Sequence, residues 1–385
     1  MGDELIEIHG TCEPAFEPVR QAFAANFAER GEIGASVAVV AGGEPVVHLW
    51  AGWADPARTR PWQQDTLMNV WSTTKAVTSL CAHLLIDRGE LDPDAPVARY
   101  WPEFAQAGKG DIPVRWIMSH RSGLTGLAAP VSLADYYDWD KITGLLAQQE
   151  PLFPPGTGTG YQAITFGYLV GEVIRRITGQ SCGTFFGSEI AGPLGADFHI
   201  GLPGTELDRC SELQGVRPSE DEQAALAQAY ANASPAAQAA LLNPALTGDE
   251  ANADDWRMAE IPAANGHGTA LGLVTVYGTL TDGSERLISA KTLQAARAGQ
   301  GRFTDVVLGF PLEFGLGVAL SGPEGHFGPN PAAFGHDGFG GSTVCADPEG
   351  GVAVAYVMNR MGMNLADDPR KMALIDAVYR SLAAR

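Results

Sequence analysis

Ser72 and Lys75 stand three residues apart in the run Ser72-Thr73-Thr74-Lys75. On a helix that spacing puts both side chains on one face, one turn apart. A serine hydroxyl is a weak nucleophile until a base takes its proton. A lysine amine in contact is such a base when burial lowers its pKa toward neutrality. The pair therefore reads as an acyl-transfer nucleophile with its base. The plainer alternative is a serine capping a core helix. A working site also needs a second proton-handling group and backbone N–H groups facing the developing oxyanion.

Two glycine-rich stretches can supply these. Residues 154–160, Pro-Pro-Gly-Thr-Gly-Thr-Gly, deliver Tyr161 just before a helical pattern that starts at Thr165. The run Gly335-His336-Asp337-Gly338-Phe339-Gly340-Gly341-Ser342 opens a C-terminal strand. Its glycines let a backbone edge come close to a ligand. The plainer readings are a turn with a core tyrosine and a tight turn between strands. His336 and Asp337 also invite a Ser–His–Asp reading. Neighbours on a strand point to opposite faces, however, so Asp337 cannot easily orient His336. The run Gly179-Gln180-Ser181-Cys182-Gly183 matches the Gly-x-Ser-x-Gly elbow, which requires a strand before it and a helix after it. Here a helical pattern precedes, so Ser181 reads as a decoy.

The elements that must hold these residues follow from periodicity. Val77, Leu80, Cys81, Leu84 and Leu85 recur at helical spacing after Ser72, and Arg88-Gly89 reads as the helix end. Residues 13–30 form an amphipathic pattern. Residues 34–40 and 45–52 are apolar and β-branched around Gly42-Gly43, the pattern of a hairpin. Phe166, Leu169, Val170, Val173 and Ile177 mark a helix over 165–178 that Gly179 ends. Strand character returns at 313–320, 341–346 and 351–358, and a helix over about 367–383 closes the chain. The expected fold is thus α+β, an α/β sandwich. One antiparallel sheet is built from both chain ends (1–90 and 300–385) and flanked by terminal helices. A mostly helical domain (91–299) is inserted between its halves, with the Ser72 helix at the seam. The stretch 217–255 reads as an exposed helix or an inserted flap.

Composition narrows the function. The chain has 385 residues, a net charge of −20 and 18% charged residues. A basic nucleic-acid surface is excluded. The five cysteines form no CxxC pair, and no clustered His/Asp set points to a metal, so no cofactor is expected. The acidic start lacks the features of a secretory signal, and no stretch is long and apolar enough for a membrane span. A cytoplasmic location, with no membrane or nucleic-acid partner, is the expectation.

The order Ser-x-x-Lys, Tyr161 and His336-x-Gly338 resembles the serine β-lactamase and penicillin-binding protein superfamily, and within it the class C-like family VIII carboxylesterases. Met118-Ser119-His120-Arg121-Ser122-Gly123-Leu124, Phe166-Gly167-Tyr168-Leu169-Val170-Gly171-Glu172 and Pro262-Ala263-Ala264-Asn265-Gly266 are similar to that branch too. The resemblance covers about residues 15–380. It implies a serine hydrolase with Ser72 as nucleophile, Lys75 and Tyr161 as general base and acid, and an oxyanion hole from the N–H groups of Ser72 and Phe339. His336, Gly338, Trp71 and Tyr137 then bind substrate. Two departures stand out. β-Lactamases carry Tyr-x-Asn, where this chain has Ala163, and Lys-Thr-Gly, where it has His336-Asp337-Gly338. Both remove groups that hold a lactam, and so favour a small neutral ester as substrate. A β-lactamase, a D-amino-acid peptidase or amidase, a transesterase, and a binding protein that acylates without turnover stay open.

Overall fold

The structure is a computed structural model and describes residues 6–364 and 367–384. Seven strands form the main sheet: β1 (Ile8–Cys12), β2 (Gly34–Ala41), β3 (Glu44–Gly52), β4 (Ala319–Leu320), β5 (Phe334–Asp337), β6 (Thr343–Asp347) and β7 (Val352–Met358). Their order is β1-β3-β2-β7-β6-β5-β4, every neighbour antiparallel. The two ends of the chain meet at β2–β7, which pair from Ala41 opposite Val352 to Ala35 opposite Met358. The β2–β3 hairpin turns through Gly42 and Gly43, both at positive φ (62° and 85°), as a right-twisted two-residue turn requires.

Six helices frame the site: α1 (Glu17–Glu29), α2 (Thr74–Asp87), α3 (Thr165–Thr178), α4 (Glu220–Ala231), α5 (Ala270–Gly278) and α6 (Pro369–Ala383). Successive residues of β2 split between two cores, as a period of two demands. Val37 and Val39 join Phe16, Phe23, Leu374 and Val378 under α1 and α6. Ala38 and Val40 join Val77, Leu80, Leu273 and Val276 under α2 and α5. The sheet is therefore covered by helices on both faces. Helix α2 is buried on nearly every side, from Thr74 to Leu85, because α3 closes its outer face. A helix apolar all round is a central helix.

The hairpin, α3 with its left-handed Gly179 cap (φ 72°), the 351–358 strand and the closing helix stand where periodicity placed them. Four features differ. The 13–30 pattern opens with a 3₁₀ turn, Pro14–Phe16, before α1. Residues 313–320 are not one strand. Phe314 to Val318 turn back through Gly317 (φ 77°), whose carbonyl accepts from Ser79 Oγ on α2 at 2.8 Å. β1 adds an edge strand that has no apolar alternation to announce it. Finally, α5 packs on β2 and β7, so the sheet layer draws a helix from within the stretch expected to be separate. The 217–255 stretch holds α4, which has no buried residue.

Candidate active site

The turn that carries Ser72 is tied down from three sides. A short three-stranded sheet (Met68–Asn69, Gly266–Gly268, Phe198–Ile200) leads into it, and Val70 N–H donates to Gly266 O at 2.9 Å. Ser72 then sits in a 3₁₀ turn, Trp71–Thr73, immediately before α2 rather than inside its first α turn. Trp71 is at φ 47°, a left-handed conformation that costs a bulky residue of order 1–3 kcal/mol. Surrounding bonds hold it there. Thr74 Oγ1 donates to Trp71 O (2.6 Å) and accepts from Gly266 N–H (2.8 Å), while Ser342 Oγ donates to Val70 O (2.8 Å). The Trp71 ring packs against Trp256 and Phe339.

Lys75 is fully buried, and its Nζ lies 2.9 Å from Ser72 Oγ, 2.7 Å from Ala163 O and 2.9 Å from Ala263 O. Among the described residues, no carboxylate pairs with it. Burial alone drives its pKa well below the usual lysine value. Two of its N–H groups donate to the two carbonyls, and once the amine is deprotonated its lone pair can take the proton of the Ser72 hydroxyl. Both carbonyls are presented by braced loops. Asn265 holds the 261–266 turn by donating to Trp256 O (2.8 Å) and accepting from Ile261 N–H (2.8 Å). Ala163 thus contributes its carbonyl, although its side chain is only a methyl.

Tyr161 lies beside this pair, with Lys75 Nζ 5.0 Å from its ring centroid. Desolvation pushes its phenol up from the ordinary value; a hydrogen bond with Ser72 opposes this, and the charges of Asp305 and Asp337 reinforce it. Asp305 also holds the loop, accepting from Tyr161 N–H at 3.1 Å. His120, buried and at φ 59°, packs its ring 4.8 Å from that of Tyr161. Its Nδ1 accepts from Gln162 N–H (3.1 Å), so the ring is neutral at that nitrogen. Burial, then Lys75 and His336, hold its pKa well below the usual histidine value.

The third side comes from β5 and the turn after it. His336 is buried and 6.2 Å ring-to-ring from Tyr161. Its Nδ1–H donates to Asp337 O at 2.8 Å. Burial first, then Lys75, lower its pKa to about 3. Asp337 turns away from the imidazole and pairs with Lys371 and His326 instead. That pairing, and the alternation of the strand, dispose of a His336–Asp337 relay. A Cβ on Gly338 would lie 2.1 Å from Val70 O and Ser342 Oγ, so only glycine lets this edge reach the Ser72 turn. Among the described residues, neither the Ser72 nor the Phe339 N–H enters a backbone hydrogen bond. The next peptide is clamped, Gly340 O accepting from Arg370 Nη2 (2.7 Å) and Gly362 N–H (2.9 Å).

These residues open on one cavity of about 250 Å³, lined by Trp71, Ser72, Tyr161, His336, Gly338 and Phe339. Its outer wall is apolar: Leu308, Phe310, Leu312 and Phe314, with Tyr230 of α4 at the rim. Tyr137 is not part of that lining. It ends the 3₁₀ turn Leu133–Tyr137 and packs half-buried against the helical core, with Asp255 and Glu250 nearby. Ser181 caps the short helix Cys182–Phe186 and donates to Glu260 Oε1 at 2.6 Å. The sequence reading overlooked the Ala163 and Ala263 carbonyls, Asp305 and Tyr230. It took His120 as a structural histidine, which its bond to Gln162 supports. The described residues hold no group of three or more His, Cys, Asp or Glu fit for a metal ion, and no helix long and apolar enough to cross a membrane.

A helix-covered antiparallel sheet with Ser, Lys and Tyr gathered at the start of a central helix is the arrangement of the β-lactamase and transpeptidase class. Residues 19–378 match the β-lactamase family model, and the chain belongs to that family. It is 35% identical over 364 residues to the esterase/β-lactamase LipL of Mycobacterium tuberculosis, covering 92% of this chain and 83% of LipL. It is similar to the crystal structure of a family VIII carboxylesterase at 44% identity and a TM-score of 0.91, covering 98% of this chain and all of the other. A penicillin-binding protein homologue from Caulobacter crescentus matches at 41% identity and a TM-score of 0.88, over 97% and 100% of the two chains. The chain is thus a hydrolase of the β-lactamase superfamily with esterase relatives.

Proposed function

We propose that the chain is a serine carboxylesterase that cleaves short-chain esters through an acyl-enzyme on Ser72. The observation that carries this reading is the Lys75 amine, fully buried with no carboxylate partner among the described residues and 2.9 Å from Ser72 Oγ, where burial favours the neutral, basic form. Ser72 Oγ attacks the ester carbonyl as its proton passes into the Lys75–Tyr161 pair. The same pair returns a proton to the leaving alcohol, and water then attacks the acyl-enzyme by the reverse route. Lys75 and Tyr161 titrate as a unit, so the base is the pair rather than either residue. The free N–H groups of Ser72 and Phe339 take the developing oxyanion, each donor worth about 3 kcal/mol in the transition state. His336 offers no cation to a substrate carboxylate, and Ala163 offers no side-chain amide, which favours a neutral ester over a lactam.

Ser72→Ala should abolish hydrolysis of p-nitrophenyl acetate and butyrate. Tyr161→Phe should lower kcat at least a hundredfold while leaving the thermal midpoint close to wild type. Retention of more than a few per cent of activity in Ser72→Ala would sink the assignment. Turnover of a chromogenic cephalosporin at a rate matching the esters would favour a lactam substrate instead.

A further inference from the structure

Among the described residues, two buried side-chain nitrogens in the cavity wall have no hydrogen-bond partner, and they are complementary. His336 is 5% exposed and Trp71 is 3% exposed. Since Nδ1–H of His336 donates to Asp337 O, its Nε2 carries a lone pair and can only accept. That Nε2 is buried and unpartnered. The Trp71 indole Nε1–H can only donate, and it too is buried and unpartnered. Both residues line the cavity that holds Ser72 and Tyr161. Each such orphan carries a desolvation cost until something pairs with it. A ligand that answers them recovers that cost.

The chemistry of the ligand follows by elimination. A carboxylate can answer only the indole and faces the lone pair of His336. An ammonium can answer the imidazole but has no lone pair for the indole N–H. The remaining charge in this wall, Asp337, is already matched by Lys371 and His326, although its Oδ1 is left without a bond. A hydroxyl both donates and accepts, and it is neutral. We propose that His336 Nε2 is a specificity element that accepts a hydrogen bond from a hydroxyl on the substrate, so that the enzyme selects hydroxyl-bearing esters such as partial esters of diols and glycerol over their plain alkyl counterparts. This rests on the esterase reading of Ser72 and names the substrate class of that site. The low pKa of His336, about 3, keeps the ring an acceptor throughout the neutral range.

The test compares ethyl butyrate with 2-hydroxyethyl butyrate, matched in acyl group and differing by one hydroxyl, by titrating released acid. Within each variant the ratio of the two kcat/KM values cancels changes common to both substrates. Wild type should favour the hydroxyl ester at least tenfold. His336→Phe, which has no acceptor, should bring the ratio to near one, and His336→Gln, which restores an acceptor oxygen, should recover part of the preference. A wild-type ratio near one overturns the subsite while leaving the esterase reading intact. So does a ratio that His336→Phe leaves unchanged. Failure of wild type to hydrolyse either ester overturns both.

Discussion

At the scale of single residues, the site depends on where protons rest. Lys75 meets two carbonyls, Ser72 and the face of Tyr161, and its neighbours His120 and His336 are held neutral by burial. Desolvation outweighs these acceptors and lowers its pKa well below the usual lysine value. The amine is the active form, so kcat/KM on a neutral ester should rise with pH along a single acid limb and level off below the ordinary lysine pKa. The limb belongs to the Lys75–Tyr161 pair, and its midpoint should lie well under 10.5, the ordinary lysine value. A rate still climbing in proportion to hydroxide at pH 10 would mean that Lys75 is charged at rest. Ser181 supplies the contrasting case. Its hydroxyl accepts from Thr184 N–H and donates to Glu260, both structural duties at a helix start. Ser181→Ala should keep near-normal turnover and lose about 1 kcal/mol of stability, the usual worth of an N-cap, seen as a lower urea midpoint. Loss of activity at the level of Ser72→Ala would revive the elbow reading.

At the scale of elements, the cavity is assembled from pieces of unequal rigidity. α2, α3 and β5 are packed on all sides, whereas α4 holds itself by a capping box between Ser219 and Glu222 and buries nothing. Its Tyr230, 39% exposed, still reaches the cavity rim. Tyr230→Ala should therefore leave stability within about 0.5 kcal/mol of wild type, as surface substitutions do. It should raise KM for p-nitrophenyl octanoate several-fold and change little for the acetate, because only a long acyl chain extends that far. Equal effects on both esters would remove Tyr230 from the binding wall. The same contrast explains what could be read from residues alone. The β2–β3 hairpin, α3 with Gly179 and β7 carry their periods and their turn residues in side chains, and Ser72, Lys75 and Tyr161 carry chemistry in theirs. The outer cavity wall comes from Leu308 and Phe310, in the turn between the three-residue strands Arg302–Thr304 and Pro311–Glu313, and from Leu312 on the second of them, and these pieces are too short to show a period. α5 is apolar on nearly every face, so periodicity does not say which neighbour it covers. The two carbonyls that set the state of Lys75 are backbone atoms of alanines, and no residue type announces them.

At the scale of the molecule, the cost of gathering polar groups in a dry seam should appear as acid lability. His83, His120, His267 and His336 are all buried, and desolvation lowers each pKa: to about 4 for His83, about 3 for His267 and His336, and well below normal for His120. Burial holds each ring neutral; His83 Nε2–H donates to Leu316 O at 2.7 Å and His267 Nδ1–H to Asn265 O at 2.8 Å. The sign follows directly. Well above pH 6.5 the histidines are neutral in both folded and unfolded chains, and they carry no penalty. Between 6.5 and about 4 only the unfolded chain takes up their protons. Folding therefore loses about 1.4 kcal/mol per pH unit for each such histidine. Four of them at pH 5.5 amount to several kcal/mol, a large share of the 5–15 kcal/mol that holds an ordinary domain together. Glu32 and Glu260, whose pKa values burial raises, work in the opposite direction as the pH falls through those raised values. The relief of a −20 net charge on acidification also favours the folded state, and it is spread over the surface where salt screens it. The buried histidines should dominate the window between pH 6.5 and 5. Urea midpoints measured at pH 7.5, 6.5 and 5.5 should fall modestly over the first step and about three times as steeply over the second. His267→Gln, which removes one of the four and lies outside the cavity, should make the second step shallower by about one proton. A midpoint that stays flat down to pH 5.5 would show that these rings charge inside the fold, and the neutral seam around Lys75 would have to be redrawn.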